Sequence, residues 1–192
     1  MHFLDASGGV VGHAQVDVAG GAMVAVDRRQ PDIMATDERI EIQTSSRISD
    51  KLKDQGHVNV TSFNRQVLLT GEATTEAFKQ DAERIAQSVS EVRGVVNELQ
   101  VAPPTSLGAR SNDAYITSVV KSRMVGANKF NTVHVKVVTE ASVVYLMGMV
   151  TRKEADDATE IARTTSGVKR VVRVFEYIQP PPAKPAAAEP AK

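Results

Sequence analysis

Val67-Leu68-Leu69-Thr70-Gly71 and Val144-Tyr145-Leu146-Met147-Gly148 are two readings of one pattern, a largely apolar run that opens on valine and ends on glycine. The correspondence extends downstream. Ile85-Ala86 matches Ile161-Ala162, and Val92-Arg93-Gly94-Val95-Val96 matches Val168-Lys169-Arg170-Val171-Val172. The offset is about 77 residues at the glycines and about 76 afterwards, so the chain is an internal repeat with units of roughly 65 residues. A repeat of this length is a small domain used twice, which divides the sequence before any single element is assigned.

Each unit reads as helix, strand, strand, helix, strand. The first helices are predicted at about 38–53 and 113–127, with Thr36-Asp37 and Ser111-Asn112-Asp113 offering N-cap oxygens. Strands follow at 58–63 and 66–70, and at 133–139 and 143–147. Asn64-Arg65 forms a tight hairpin turn in the first unit, and Ala141-Ser142 stands at a weaker turn in the second. Second helices are predicted at about 75–89 and 153–165, and closing strands at 95–101 and 171–178. Helices of this number cover one face of a three-stranded sheet. The predicted fold class is therefore α+β: two tandem αββαβ domains, packed close together.

The expected boundaries are a flexible leader over 1–35, domain 1 over 36–103, a linker over 104–111, domain 2 over 112–179 and a tail over 180–192. The leader is rich in Gly, Ala and Val without a stable period. The tail carries five prolines in thirteen positions, which predicts an extended, solvent-exposed segment.

Composition narrows the function. The chain has 192 residues, with 23 Lys+Arg against 23 Asp+Glu, so it lacks the basic excess of a nucleic-acid binder, and no nucleic-acid partner is expected. Aromatics make up 4% and Trp is absent, which argues against base-stacking platforms. There is no Cys, which excludes disulfides, thiolate metal sites and cysteine nucleophiles. No apolar run reaches the roughly 20 residues of a transmembrane helix, and no intact signal peptide opens the sequence.

Catalytic patterns are missing as well. The sequence holds no Gly-x-Ser-x-Gly elbow and no phosphate-binding loop. His2, His13, His57 and His134 lack partners at metal-ligand spacing, and His134 is expected to face solvent or its hairpin partner. Gly71 and Gly148 are read as strand-to-helix turns, and Glu154-x-Asp156-Asp157-x-x-Glu160 as a solvated acidic face. No enzymatic activity, cofactor or metal is expected.

The pattern Val-x-Val, Val-x-Leu-Thr-Gly, Ile-Ala and Gly-Val-x-x-Val resembles the BON domain. It is carried by Val58 to Val60, Val67 to Gly71, Ile85-Ala86 and Val92 to Val96, and again by Val135 to Val137, Val144 to Gly148, Ile161-Ala162 and Gly167 to Val172. With Ala25 to Arg29 and Ser111 to Tyr115 alongside, residues 22 to 179 resemble the two-domain BON lipoproteins of the outer membrane. Glu91, standing where the second unit has Gly167, is a departure.

That resemblance implies a non-enzymatic, periplasm-facing protein associated with the outer membrane. It would bind anionic phospholipid and support outer-membrane integrity and protein assembly, with the assembly machinery as a partner. The alternative is a soluble periplasmic stress-response protein that binds protein partners or an ion. The resemblance also implies a lipoprotein with an acylated Cys. Ala6-Ser7-Gly8 resembles the residues before such a cysteine, and Gly9 holds its place.

One helix stands out on its own residues. Placed at 100° intervals, Tyr115, Val119, Ile116, Val120 and Met124 fall at about 0, 40, 100, 140 and 180°. This arc is wider than the roughly 100° stripe a core needs. Lys121, Arg123 and Lys129 make the surroundings basic. Apolar side chains bordered by cations suit an interfacial helix on anionic lipid. The expected lipid-binding residues are Tyr115, Ile116, Val119, Lys121, Arg123, Met124 and Lys129, with Tyr115, Val119 and Met124 inserting. The alternative is that Tyr115 or Met124 packs against the other domain.

Overall fold

The structure, a computed structural model, describes residues 27–53 and 56–180. Domain 1 runs α1 (Pro31–Leu52), β1 (Gly56–Phe63), β2 (Gln66–Ala73), α2 (Glu76–Gln87), β3 (Gly94–Asn97) and β4 (Gln100–Val101). Domain 2 runs α3 (Leu107–Ala127), a single 3-10 turn (Thr132–His134), β5 (Val135–Glu140), β6 (Val143–Val150), α4 (Arg152–Arg163) and β7 (Arg170–Tyr177). In each domain the first two strands form an antiparallel hairpin. The last strand pairs in parallel with the second, giving sheet orders β1-β2-β3 and β5-β6-β7, with β4 also beside β2. The repeat is therefore structural as well as sequential.

Two helices begin earlier than their sequence signals. Pro31 opens α1, five residues before the expected cap, because its fixed φ suits a first turn and its missing N–H costs nothing there. The leader expected over 1–35 thus gives way to ordered chain from Asp27; its remainder, the Gly9 position and the tail beyond Pro180 lie outside the described residues. Helix α3 opens at Leu107 inside the expected linker, where Ser106 Oγ accepts from Ala109 N–H. Its first turns are largely exposed, so the apolar periodicity that marks a helix starts late. In domain 1 the closing strand is interrupted at Glu98-Leu99, where Leu99 turns into the core and its N–H meets the Asn97 side chain.

Asp37 and Asp113 have a different task from capping. Asp37 is buried at mid-helix in α1. Its carboxylate accepts from Asn64 N–H at 2.8 Å, Arg65 N–H at 2.7 Å and Ser62 Oγ at 2.7 Å. Asp113 repeats the device, accepting from Ala141 N–H at 2.9 Å and Ser142 N–H at 2.8 Å. Both turns are left-handed at their two central residues, as a tight type I′ hairpin requires. Ala141-Ser142 has little intrinsic preference for that geometry, and the helix carboxylate supplies what the turn residues lack.

Gly71 and Gly148 lie inside β2 and β6, not at turns. A Cβ on Gly71 would sit 2.1 Å from His57 O, and one on Gly148 would sit 2.2 Å from His134 O. The neighbouring chain passes too close for any side chain.

Strand alternation divides each sheet between two cores. Val67, Leu69 and Ala73 of β2 pack under α1 and α2; Val144, Leu146 and Val150 of β6 pack under α3 and α4. The intervening residues face the other domain. Phe63 and Leu68 meet Tyr145 and Met147, surrounded by Val96, Val138, Val143, Met149, Val172 and Val174. The two sheets thus cover each other's open faces, with helices outside. Burial in this seam pushes the Tyr145 hydroxyl up to about 12.

Candidate functional site

The outer surface of α3 is the site singled out by sequence, and the structure divides its residues. Tyr115 is 67% exposed, so it does not pack on the other domain. Val119 is half-buried on the same side of the helix. Ile116 and Met124, each 1% exposed, belong to the core of domain 2 with Val120. The expectation that Met124 inserts into lipid is corrected: the wide apolar arc has a buried end at Met124 and an exposed end at Tyr115. The helix needs that width because it packs against both β5 and α4.

The cations divide similarly. Arg123 donates to Ile161 O at 3.0 Å, Thr165 Oγ1 at 2.6 Å and Thr164 Oγ1 at 3.1 Å, closing the carbonyl end of α4. Lys129 pairs with Asp157 at 3.2 Å. Lys121 is exposed. Sequence reasoning missed two apolar side chains on this surface, Leu107 at 81% and Val125 at 64% exposure. Their spacing of 18 residues is five helical turns, so both lie on one line, about 80° around from Tyr115.

The charge pattern of the helix reinforces the contrast. Helix α3 carries Arg110, Lys121 and Arg123 against a single acid, Asp113, which is turned inward onto its hairpin. Its exposed side presents Tyr115, Ser118, Ser122 and Val125 with no carboxylate. Helix α1 carries Asp32, Asp37, Glu38, Glu41 and Asp50 against three bases. Beside α3, Lys121, Val125, Val133 and Lys136 line a shallow pocket of about 400 Å³.

The segment before α1 ties the domains together. Arg28 donates to Met149 O at 2.7 Å and forms a two-pronged pair with Glu154 at 2.8 and 2.9 Å. Arg29 lies 4.0 Å over the Phe63 ring and pairs with Asp27 and Asp37. The acidic run on α4 is therefore not a plain solvated face. Glu154 holds Arg28, Asp157 holds Lys129 and Lys153, and Asp156 holds Arg173. His134 is likewise not solvent-facing; it is buried 3.9 Å from Glu154. Among the described residues no group of three His, Cys, Asp or Glu is placed to hold a metal ion.

Burial raises the Glu154 carboxyl, but hydrogen bonds from Arg28 and Thr151 and the Arg28 charge outweigh it and bring the group down to about 2. Its contribution is present above the ordinary value of 4.5 and is lost as pH falls from there towards about 2. Arg28→Ala is expected to cost about 2–3 kcal/mol at neutral pH and much less near pH 2. Urea titrations at the two pH values check this, and an equal loss at both would refute the ionic strap.

Comparison with known proteins places this geometry in a lineage. The sequence model of the BON domain matches residues 36–103 and 112–179. The chain is 36% identical over 166 residues to the protein named outer membrane lipoprotein DolP of Haemophilus influenzae, covering 84% of this chain and 86% of that one. It is 32% identical to a 21 kDa hemolysin of Actinobacillus pleuropneumoniae, covering 80% of each. It is 31% identical to the osmotically-inducible protein Y of Escherichia coli, over 59% of this chain and 58% of that one. No enzyme is among these three by name.

Proposed function

The chain belongs to the BON domain family, and on that premise we propose that it is a non-catalytic, outer-membrane-associated envelope protein that meets anionic phospholipid through α3. The observation that carries the reading is the outward face of this helix, where Tyr115 and Val125 stand exposed beside Lys121 and no carboxylate faces out. On the periplasmic side of the outer membrane, that contact would support envelope integrity and the assembly of outer-membrane proteins. The 36% identity to a protein named as an outer membrane lipoprotein supports this placement.

Cations alone do not suffice. Near a charged membrane each contributes on the order of 1 kcal/mol, and salt screens it. Apolar contact adds about 25 cal/mol per Å². A few side chains therefore give weak, reversible binding, which a lipid anchor makes sufficient by raising effective concentration.

The test compares binding to phosphatidylcholine vesicles with and without phosphatidylglycerol. Tyr115→Ser with Val125→Ser removes roughly 80 Å² of contact, worth about 2 kcal/mol or roughly thirtyfold in affinity. Ile42→Ser, at an exposed position on α1, should change nothing. Met124→Ser should unfold domain 2 rather than spare the fold. A parent protein that ignores vesicles of either charge would favour the soluble stress-protein reading. A folded double variant that binds like the parent would remove α3 from the site.

A further inference from the structure

The seam between the two sheets is apolar at its centre and polar at one margin. There, Asn59 Nδ2 donates to Glu140 Oε2 at 2.7 Å from one domain to the other. Glu140 is 7% exposed and Glu72 is 3% exposed. His57 and Glu72 face each other across the β1–β2 ladder, as do Asn59 and Thr70. His57 Nδ1 and Glu72 Oε2 lie 3.4 Å apart, yet neither has an aligned hydrogen-bond partner, and Thr70 Oγ1 has none either. A pocket of about 480 Å³ opens at this margin, lined in part by His57, Asn59, Arg110, Asp113 and Glu140.

These polar groups come from every element packed against Glu140. β1 contributes His57 and Asn59, β2 contributes Glu72, α3 contributes Arg110 and Asp113, and β6 contributes Tyr145. Asp113 is already committed to the hairpin N–H groups. Docking thus drives two carboxylates, Glu72 and Glu140, into one buried margin, where Glu140 is met across the joint by the neutral amide of Asn59. An unpaired buried carboxylate is costly, and the inexpensive relief is a proton.

We propose that the joint between the domains is proton-sensitive: Glu140 takes up a proton as the sheets close on it and releases it as they part. The tendency follows from the setting. Burial raises the Glu140 carboxyl, and the charges of Glu72 and Asp113 push the same way, against the Asn59 hydrogen bond and the nearness of His57. A carboxyl whose docked value exceeds its free value binds more protons docked than apart. Docking is then favoured below the docked value and weakens as pH rises through it. Each unit by which docking moves the carboxyl changes the docking equilibrium about tenfold. The Arg28–Glu154 strap stays ionised throughout this window, because Glu154 titrates at about 2.

The absence of Cys from the chain permits a clean probe. Met147→Cys places a lone thiol in the seam, and Val144→Cys places one in the core of domain 2. A pyridyl disulfide labels each over a series from about pH 7.5 down to about pH 4.5, with rates divided by those of the same chain unfolded in urea, so that thiol ionisation cancels. The seam thiol is expected to label several-fold more slowly at the low end of the series. Adding Glu140→Gln, which keeps an acceptor for Asn59, should abolish that difference. The core thiol should show no comparable dependence. Three results would overturn the proposal: a pH dependence that survives Glu140→Gln, one that disappears only with His57→Gln, or an equal dependence at Val144→Cys. The last would mean that whole-domain unfolding is being read.

Discussion

Asp37→Ala is expected to destabilise the protein by about 3–5 kcal/mol, a large part of a small domain's stability. The carboxylate is 3% exposed and accepts from two turn N–H groups, the Ser62 hydroxyl and Arg29. Removing it leaves two backbone donors buried or strained at the head of the β1–β2 hairpin and a partly buried guanidinium short of one partner. Each orphaned donor costs about 1–3 kcal/mol. Asp113→Ala should cost less, about 2 kcal/mol, because that carboxylate accepts from the two turn N–H groups of its hairpin without an arginine. Urea unfolding of both variants gives the comparison. If Asp113→Ala cost more than Asp37→Ala, the weight placed on the Arg29 and Ser62 contacts would be wrong. If neither exceeded about 0.5 kcal/mol, the turns would stand without their helix carboxylates.

Gly71→Ala should be at least as damaging. The added methyl would meet His57 O at 2.1 Å, and the residue sits at φ +115°, which side chains rarely adopt. Either β1 moves away, breaking the ladder, or β2 changes its backbone and loses register. Both routes cost about 4 kcal/mol or more, in the range reserved for a few severe mechanisms. Gly126→Ala is the control. A Cβ there meets nothing within 4 Å, and alanine near the end of an exposed helix should be neutral or gain up to about 1 kcal/mol. Thermal melts and circular dichroism separate the two. A Gly71→Ala protein that melts within a few degrees of the parent would show that the sheet yields more easily than this packing allows.

The element order, the α+β class and the doubling of the unit were legible in the sequence because they depend on short-range patterns. Alternation gives strands, a 3.6-residue period gives helices, and repetition needs only comparison. Helix starts were less legible. Pro31 and Ser106 are modest local signals, and the stronger polar clusters nearby, Thr36-Asp37 and Ser111-Asn112-Asp113, resemble caps while their aspartates serve contacts some 25 residues ahead. A carboxylate has the same chemistry at a helix end or on a distant turn, so its residue type alone does not reveal which it serves.

The helical wheel of α3 shows the same boundary. Spacing correctly defines an apolar arc of about 180° from Tyr115 to Met124. It carries no information on where the sheet lies. Packing against β5 and α4 buries the Met124 end, leaves Tyr115 in solvent and commits Arg123 to the end of α4. The sheet-to-sheet seam lay further still from the sequence. Leu68, Tyr145 and Met147 read as half of each strand's alternation, and nothing local says that the second face of one domain is covered by the second face of the other. Local pattern determines which surfaces are apolar, because that is a property of successive side chains. Which of those surfaces meet is decided by the tertiary structure, because burial is gained only when two of them close on each other.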